Sequence, residues 1–350
     1  ASLVKYLSEA VRASPDHPVL IDKFLEGAIE IDVDAISDGD LLVIGGIMEH
    51  IEEAGVHSGD SACVLPPYSL VEDQLDQVRE QTLRIAKELN VVGLINIQFA
   101  IKSDVLYVLE VNPRASRTIP FVSKAIGAPL AKLAARVMAG KTLKELGFTE
   151  EVRLQHTAVK CPVFPFTMLP GSEPVLGPEM KSTGEVMGID VDFGRAFAKA
   201  YGAAGHRLPT SGTVFLSVRN DDKRDIIFLA RALRDMGFRI VATQGTAGVL
   251  RRNGILAQVV HRVYEAKPNV LDLIDRRQVD LIITTPSGQA PREDQMRIRR
   301  AAIESGVTLV TTISGAMAAV AAIECVRRGE FSTAALTDYY SGLHRVAAEA

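Results

Sequence analysis

Apolar and polar residues alternate with period two through the run GLINIQFAIKSDVLYVLEV at residues 93–111. Ile95, Ile97, Phe99 and Ile101 form one arm, and Val105, Tyr107, Leu109 and Val111 the other, joined by the polar turn Lys102-Ser103-Asp104. This spacing predicts a β-hairpin whose opposite face gathers Gln98, Glu110 and Asn112. Residues 28–37 alternate as well: Ile29, Ile31 and Val33 share one face, and Glu30, Asp32 and Asp34 the other. The pattern predicts a strand with a solvated acidic side at Asp32 and Asp34. Asp38-Gly39 marks a hairpin turn into another strand from Leu41 to Met48, and residues 18–25 read as a strand leading into a short connection.

Helical spacing appears elsewhere. Residues 3–13 form an amphipathic stretch, and Val71, Leu75, Val78, Thr82, Ile85 and Leu89 form one stripe of a helix over 69–89, with Ser69 and Glu72 placed as a capping box. An alanine-rich helix over 130–139 ends at Gly140, a C-cap residue. From 141 to 207 the pattern loosens. Prolines at 162, 165, 170, 174 and 178 disfavour long regular elements, yet Val163, Phe164, Phe166, Met168 and Leu169 are too apolar for a solvated linker. The stretch reads as an ordered connection packed on the first unit, with Gly202-Ala-Ala-Gly205 marking a boundary.

Beyond it, strands at 213–218, 238–243, 257–261, 279–284 and 307–311 alternate with helices at 222–236, after Gly245, and at 270–276, 294–305 and 316–328. That order predicts a parallel sheet covered on both faces, with ligands at the carboxyl ends of its strands. At those ends stand Ser217, Thr243-Gln-Gly-Thr246, Arg262, Thr284-Thr285 and Thr311-Thr312. The expected organisation is residues 1–140, a connecting segment 141–207, and a separate domain 208–350.

Composition narrows the function. The 350 residues have room for two or three cores. A formal net charge of −4 without a basic stripe excludes a nucleic-acid binder. Cys63, Cys161 and Cys325 lie far apart, forming neither a disulfide framework nor a zinc cluster, which places the chain in a reducing, cytoplasmic compartment. No apolar run approaches the roughly 20 residues that span a bilayer, and the N-terminus lacks a signal-peptide layout.

The chemistry concentrates in two places. Gln98, Glu110 and Asn112 offer hard oxygens on adjacent strands, a donor set suited to Mg²⁺, which takes one or two carboxylates and leaves the rest of its shell to phosphates and water. Arg114 and Arg117 follow, and guanidinium groups beside a metal suit a phosphoryl group. On spacing alone a half-solvated hairpin explains the same residues. At the second place, Gly245-Thr246 opens a helix whose free N–H groups suit an anion, with Lys223 and Arg262 adding charge and Thr243, Thr284 and Thr285 adding hydroxyls. N-capping explains any one of these positions; their convergence favours a phosphate-bearing ligand. In the loop at 50–60, HIEEAGVHSGD, a plain surface loop explains His50 and His57 more simply than metal ligation does.

Several runs are more specific. Gln98 with Glu110-Val-Asn112-Pro113-Arg114 and Arg117, IGGIMEHIEEAGVHSGDS at 44–61, EVNPRASRTIPFVSKAIG at 110–127 and GPEMKSTGEVMG at 177–188 resemble the second ATP-grasp unit of carbamoyl-phosphate synthetase large subunits. Thr243-Gln-Gly-Thr-Ala247 resembles the signature of methylglyoxal-synthase-like domains, the regulatory end of that family. The resemblance implies an α/β chain: an incomplete α+β ATP-grasp domain followed by a doubly wound parallel-sheet, Rossmann-like domain. It implies ATP, Mg²⁺ or Mn²⁺, and K⁺ as cofactors. Lys23 and Leu25 would meet the adenine through their main chain and Glu30 the ribose. Gly55, Val56, His57 and Ser58 would line the nucleotide pocket, with nearby carbonyls on the monovalent cation. Gln98, Glu110 and Asn112 would hold the divalent metal, and Arg114 and Arg117 would be catalytic. Lys223, Thr243, Thr246, Arg262, Thr284 and Thr285 would form the allosteric site for a nucleotide such as UMP or IMP.

The resemblance also implies phosphorylation of carbamate for arginine and pyrimidine biosynthesis, a glutamine amidotransferase small subunit as partner, and an oligomeric enzyme. The family's glycine-rich phosphate loop is not found and would precede residue 1, so the chain reads as a C-terminal portion that does not turn over alone. Three departures matter. The loop Thr284-Thr-Pro-Ser-Gly288 stands where the bacterial pattern is Asn-Thr-Thr-Ser-Gly. His50, Glu52 and Asp60 match positions that contact ornithine, but Cys161 and Leu309 replace a glutamate and a tyrosine, so a cationic amino acid loses two partners. Asn269 stands where an active methylglyoxal synthase has its aspartate. Another ATP-grasp ligase, or a nucleotide-binding regulatory portion without catalysis, are the competing interpretations.

Overall fold

A computed structural model describes residues 2–14, 16, 18–52, 54–166, 176–285, 291–329, 331 and 333–340. Its first part contains α1 (Ser2–Ala13), β1 (Ile29–Asp38), β2 (Leu42–His50), β3 (Cys63–Leu65), α2 (Glu72–Glu88), β4 (Val92–Lys102) and β5 (Val105–Asn112). α3 (Ile119–Ile126), α4 (Leu130–Met138), β6 (Thr157–Val163), β7 (Gly184–Asp190) and α5 (Phe193–Ala203) follow. The seven strands form one antiparallel sheet in the order β5-β4-β1-β2-β3-β6-β7.

β1 lies between β2 and β4, so both its edges are paired, and helices cover both its faces. Ile31, Val33, Ile95, Ile97 and Phe99 pack under α2, while Ile36 and Met48 pack under α3 and α4 against Phe121, Leu130 and Leu133. This placement overturns the solvated acidic face expected at Asp32 and Asp34: both are buried, at 1% and 0% exposure. The hairpin forms as predicted, but its second arm carries a bulge. Phe99 pairs with Val108 while Gln98 pairs with Glu110, which shifts the phase of β5. Leu106 and Val111 therefore pack on the core, and Val105, Tyr107 and Leu109 are exposed.

Three other expectations fail locally. Residues 18–25 form no strand; Leu20, Ile21 and Phe24 lie exposed on an irregular path. The box at Ser69 and Glu72 does not form, because the amide and hydroxyl of Ser69 donate to the buried Glu49 carboxylate, and the Gln74 side chain caps the Val71 amide instead. Residues 161–188, where prolines disfavour long regular elements, nevertheless contribute to β6 and β7, which pair over seven residues each and extend the sheet. Met168 and Leu169, named with the apolar part of this stretch, lie outside the described residues.

The second part alternates regularly: β8 (Thr213–Ser217), α6 (Asp225–Asp235), β9 (Arg239–Thr243), α7 (Gln244–Arg252), β10 (Gln258–Val260), α8 (Val270–Asp275), β11 (Leu281–Thr284), α9 (Pro291–Ser305), β12 (Thr308–Val310) and α10 (Ile313–Arg328). Its sheet is parallel in the order β10-β9-β8-β11-β12. Apolar residues cover both faces: Ile226, Leu229, Val320 and Ile323 on one, Leu273, Ile274, Ile298 and Ala302 on the other. Strand order reverses at β8, which puts the crevice of such a sheet between β8 and β11.

The two parts join through α5 and α10, where Phe197 and Ala200 meet Ala318 and Ala322. A Cβ on Gly194 would come within 2.8 Å of the Cys325 sulfur and 3.0 Å of the Ala321 carbonyl, so only glycine permits this approach. No helix among the described residues is long and apolar enough to cross a membrane.

Candidate nucleotide and metal site

Cross-strand register builds the first site. Gln98 on β4 lies directly opposite Glu110 on β5, and Asn96 opposite Asn112, so these four side chains share a face. Gln98 donates through its amide nitrogen to the Ser58 hydroxyl at 3.2 Å, which leaves its oxygen turned to other duty. Glu110 is exposed and forms no hydrogen bond or ion pair among the described residues. The Asn112 oxygen accepts from the Arg114 guanidinium at 3.1 Å, and the other Arg114 nitrogen reaches the Ala115 carbonyl at 3.2 Å. One carboxylate and two amide oxygens with no lysine among them fit a hard divalent cation that shares its shell with phosphates. Arg117 is exposed and touches the Met180 sulfur.

The loop after β2 closes one side. Glu30 accepts the Gly55 amide at 3.0 Å, and Gly55 (φ +95°) tolerates no Cβ because the Phe24 ring would lie 2.7 Å away. Glu30, Gly55 and the Phe24 ring therefore come together, and residues 23–25 are not in a strand. The loop is braced from behind. Residues 177–182 hold it through the Gly177 carbonyl on the His57 amide at 2.8 Å and through Asp60, whose carboxylate accepts the Lys181 and Ser182 amides at 2.8 Å each. Asp60 is thus committed to the fold. The Ser61 hydroxyl is buried without a partner, an orphan of the kind that a bound cation or water relieves.

Beneath the loop lies a buried charge cluster that periodicity did not reveal. His50 sits 3.1 Å from Asp32 and 3.4 Å from Glu30. Burial alone would lower its basicity, but the Cys63 thiol and the Asp32 and Glu30 carboxylates hold it well above the usual imidazole range. Burial would likewise raise Asp32, yet its hydrogen bond to His50 and the charges of His50 and Lys160 bring it below the ordinary carboxylate value. Lys160, 1% exposed, donates to the Ser58 carbonyl at 3.0 Å and stays protonated against burial through Cys63, Glu185, Asp32 and Glu52. The sequence signal was present in the alternation of β1 and in His50, but only the sheet order brings them together.

A second site sits at the carboxyl ends of β8, β9 and β11. A cavity of about 90 Å³ is lined by Ser217, Lys223, Thr243, Thr246, Arg262, Thr284 and Thr285, all expected there from sequence. Thr243 precedes α7, whose first turn holds Gly245 and Thr246. Lys223 lies in a short 3₁₀ turn, and desolvation together with the nearby Arg262 charge lowers its basicity. Arg262 is held by the Tyr264 hydroxyl at 2.6 Å. Arg219, whose amide donates to Thr285, also reaches Glu26 of the first part at 3.7 Å. Pro286, Ser287 and Gly288 lie outside the described residues. Asn269 caps α8 by accepting the Leu271 amide, a structural duty.

Between the two parts lies a third, larger cavity of about 550 Å³, whose walls include Glu52, Cys161, Phe164, Phe197, Tyr201 and Leu309. Burial pushes the Glu52 carboxyl up to about 7. The lining is mostly apolar, in keeping with the cysteine and leucine that depart from the ornithine pattern.

An antiparallel sheet continued by a parallel five-stranded domain is the arrangement of an ATP-grasp domain followed by an MGS-like domain. The family model "Carbamoyl-phosphate synthase L chain, ATP binding domain" matches residues 1–146, and "MGS-like domain" matches residues 225–311. The carbamoyl phosphate synthase large chain of Archaeoglobus fulgidus is 58% identical over 340 residues, 97% of this chain and 32% of that protein. A protein of the same name from Methanosarcina acetivorans is 58% identical over 94% of this chain and 31% of its own length. One from Methanosarcina barkeri is 56% identical over 94% of this chain and 82% of its own length. The chain belongs to the carbamoyl phosphate synthase large chain family. It spans about a third of the length of the Archaeoglobus and M. acetivorans relatives.

Proposed function

We propose that the chain is the carbamate-phosphorylating and effector-binding portion of a cytoplasmic, glutamine-hydrolysing carbamoyl phosphate synthase serving arginine and pyrimidine biosynthesis. The observation that carries this is the register placing Gln98 opposite Glu110 and Asn112 beside it, with Arg114 and Arg117 next in sequence. Mg²⁺ or Mn²⁺, when bound, would neutralise the phosphates of ATP. Gln98, Glu110 and Asn112 would hold it. Arg114 and Arg117 would bind the transferred phosphoryl group and carbamate, so that the protein contributes positioning and charge rather than covalent chemistry. Glu30 would hold the ribose, the main chain at Lys23 and Leu25 the adenine, and Gly55, Val56, His57 and Ser58 the nucleotide wall. The orphaned Ser61 hydroxyl and nearby carbonyls suit K⁺.

In this proposal residues 1–207 form the ligase part and 208–350 the regulatory domain. Lys223, Arg262, Thr243, Thr246, Thr284 and Thr285 would bind the phosphate of an effector such as UMP or IMP. The partner would be the glutamine amidotransferase small subunit, in an oligomeric enzyme. The identity of the relatives and the MGS-like match favour this over another ATP-grasp ligase.

Glu110→Gln in the full-length large chain is the test. Turnover of ATP should fall by about 1,000-fold or more with circular dichroism unchanged. Unchanged turnover would refute the metal assignment. If the wild-type protein binds ATP yet never turns it over with the N-terminal part and small subunit present, the non-catalytic regulatory interpretation replaces this one.

A further inference from the structure

Asp34 is a wholly buried carboxyl in the middle of the antiparallel sheet, opposite Asn96 on β4 and Gly46 on β2. Among the described residues it forms no ion pair, and its charged neighbour Asp32 has the same sign. Burial pushes it up to about 6 although three donors point at it. A group like this weakens the fold: a neutral residue of similar shape would be cheaper to bury at neutral pH. Its retention in a sheet interior calls for another role, since a broken local rule tends to mark a functional position.

Its partners show what that role is. One carboxylate oxygen accepts the Ser116 hydroxyl at 2.7 Å and the Asn96 amide at 2.9 Å, and the other accepts the Thr118 hydroxyl at 2.5 Å. The two hydroxyls also touch each other at 2.8 Å. Thr118 stands at the N-cap of α3, where a threonine hydroxyl would ordinarily satisfy a helix amide, but it makes no such bond. Ser116 and Thr118 bracket Arg117, and Arg114 lies two residues before Ser116. A single carboxylate on β1 thus ties down, from below, the turn at 113–118 that carries both arginines.

We propose that Asp34 is a positioning residue: it fixes the 113–118 turn so that Arg114 and Arg117 present their guanidinium groups to the transferred phosphoryl group. This rests on the assignment of those arginines made above. Asp34 itself touches no substrate. Arginine clamps act only when held within a fraction of an ångström, so loosening the turn lowers the rate of the chemical step. ATP binding should be largely spared, because among the described residues Asp34 forms no hydrogen bond with Glu30 or the 55–58 loop.

The test uses the full-length synthetase containing this chain, with variants Asp34→Asn, Ser116→Ala, Thr118→Val and Thr118→Ser, and Arg117→Ala as reference. Asparagine keeps the shape of Asp34 but offers one accepting oxygen instead of two. We expect Asp34→Asn to lower kcat for carbamoyl phosphate formation roughly 10- to 100-fold while KM for ATP changes less than about threefold. Thr118→Val should follow the same split, and Thr118→Ser should recover most of the loss. Should Asp34→Asn fail to fold, the Thr118 pair carries the test alone. A fall of kcat accompanied by an equal loss of ATP affinity and thermal stability would reduce Asp34 to a structural part and overturn the inference. If Arg117→Ala loses turnover but Asp34→Asn and Thr118→Val stay within about twofold of wild type, only the Asp34 inference falls. If Arg117→Ala itself leaves turnover unchanged, the phosphoryl-site assignment and the inference fall together.

Discussion

In the interior of the antiparallel sheet the charged cluster is internally paired: Glu30 and Asp32 flank His50, and Lys160 is locked onto the Ser58 carbonyl. At the ends of the parallel strands the arrangement is the reverse. The nearby Arg262 charge lowers the basicity of Lys223, and the two cations stand beside the Ser217, Thr243, Thr246, Thr284 and Thr285 hydroxyls, with Glu265 near Arg262. Under the proposed function the first arrangement suits chemistry, where reorganisation during the reaction is costly. The second would gain from an incoming anion. On that reading buried charge in the first part serves folding, and charge in the second serves binding.

Removing one member of the buried cluster should separate the two most sharply. Asp32→Ala leaves His50 protonated with fewer acids around it and should cost about 3 kcal/mol of stability in urea denaturation. Loss below about 1 kcal/mol would break the contrast. Lys223→Ala, by comparison, should leave the denaturation midpoint nearly unchanged but weaken UMP or IMP binding by about 1.5–3 kcal/mol in calorimetry, roughly 10- to 150-fold. Equal binding would remove Lys223 from the effector site.

Glu52 sharpens the comparison through pH. Its carboxyl in the folded chain lies above its ordinary value of 4.5, at about 7. Folding therefore favours the neutral form, and the stabilising contribution is complete below about pH 4.5 and lost as pH rises through 7. Glu52→Gln should accordingly be more stable than wild type at pH 8, by ~2 kcal/mol after discounting for partial exposure, with the gap closing towards pH 5. A gap that widens on acidification would contradict the assignment. The smallest effect belongs to the bridge between the parts. Glu26→Ala removes the exposed partner of Arg219 and leaves the buried Arg219–Asp222 pair in place, so it should change stability by about 0.5 kcal/mol or less. Its signature would instead be a roughly twofold weaker influence of effector on ATP affinity.

Much of this was legible in the chain. The alternation of Ile95, Ile97 and Phe99 defined β4, and the strand–helix rhythm after residue 208 defined the parallel sheet and the hydroxyl-bearing and cationic part of its cavity lining, though not His261, Tyr264 or Asp294. Local pattern suffices there because a covered parallel strand needs continuous apolar residues and a hairpin needs period two. Where the pattern misled, a distant partner had intervened. Ser69 gave up its cap because Glu49 lies buried beside it.

Asp32 and Asp34 show the boundary most clearly. Period two assigned them a common face with Glu30, and that was correct. Whether the face met water depended on residues far along the chain: His50 and Asn96 close over Asp32, and Ser116 and Thr118, more than eighty positions later, close over Asp34. Alternation records which side of a strand a residue takes. What covers that side is a property of the assembled sheet, because burial is set by neighbours distant in sequence.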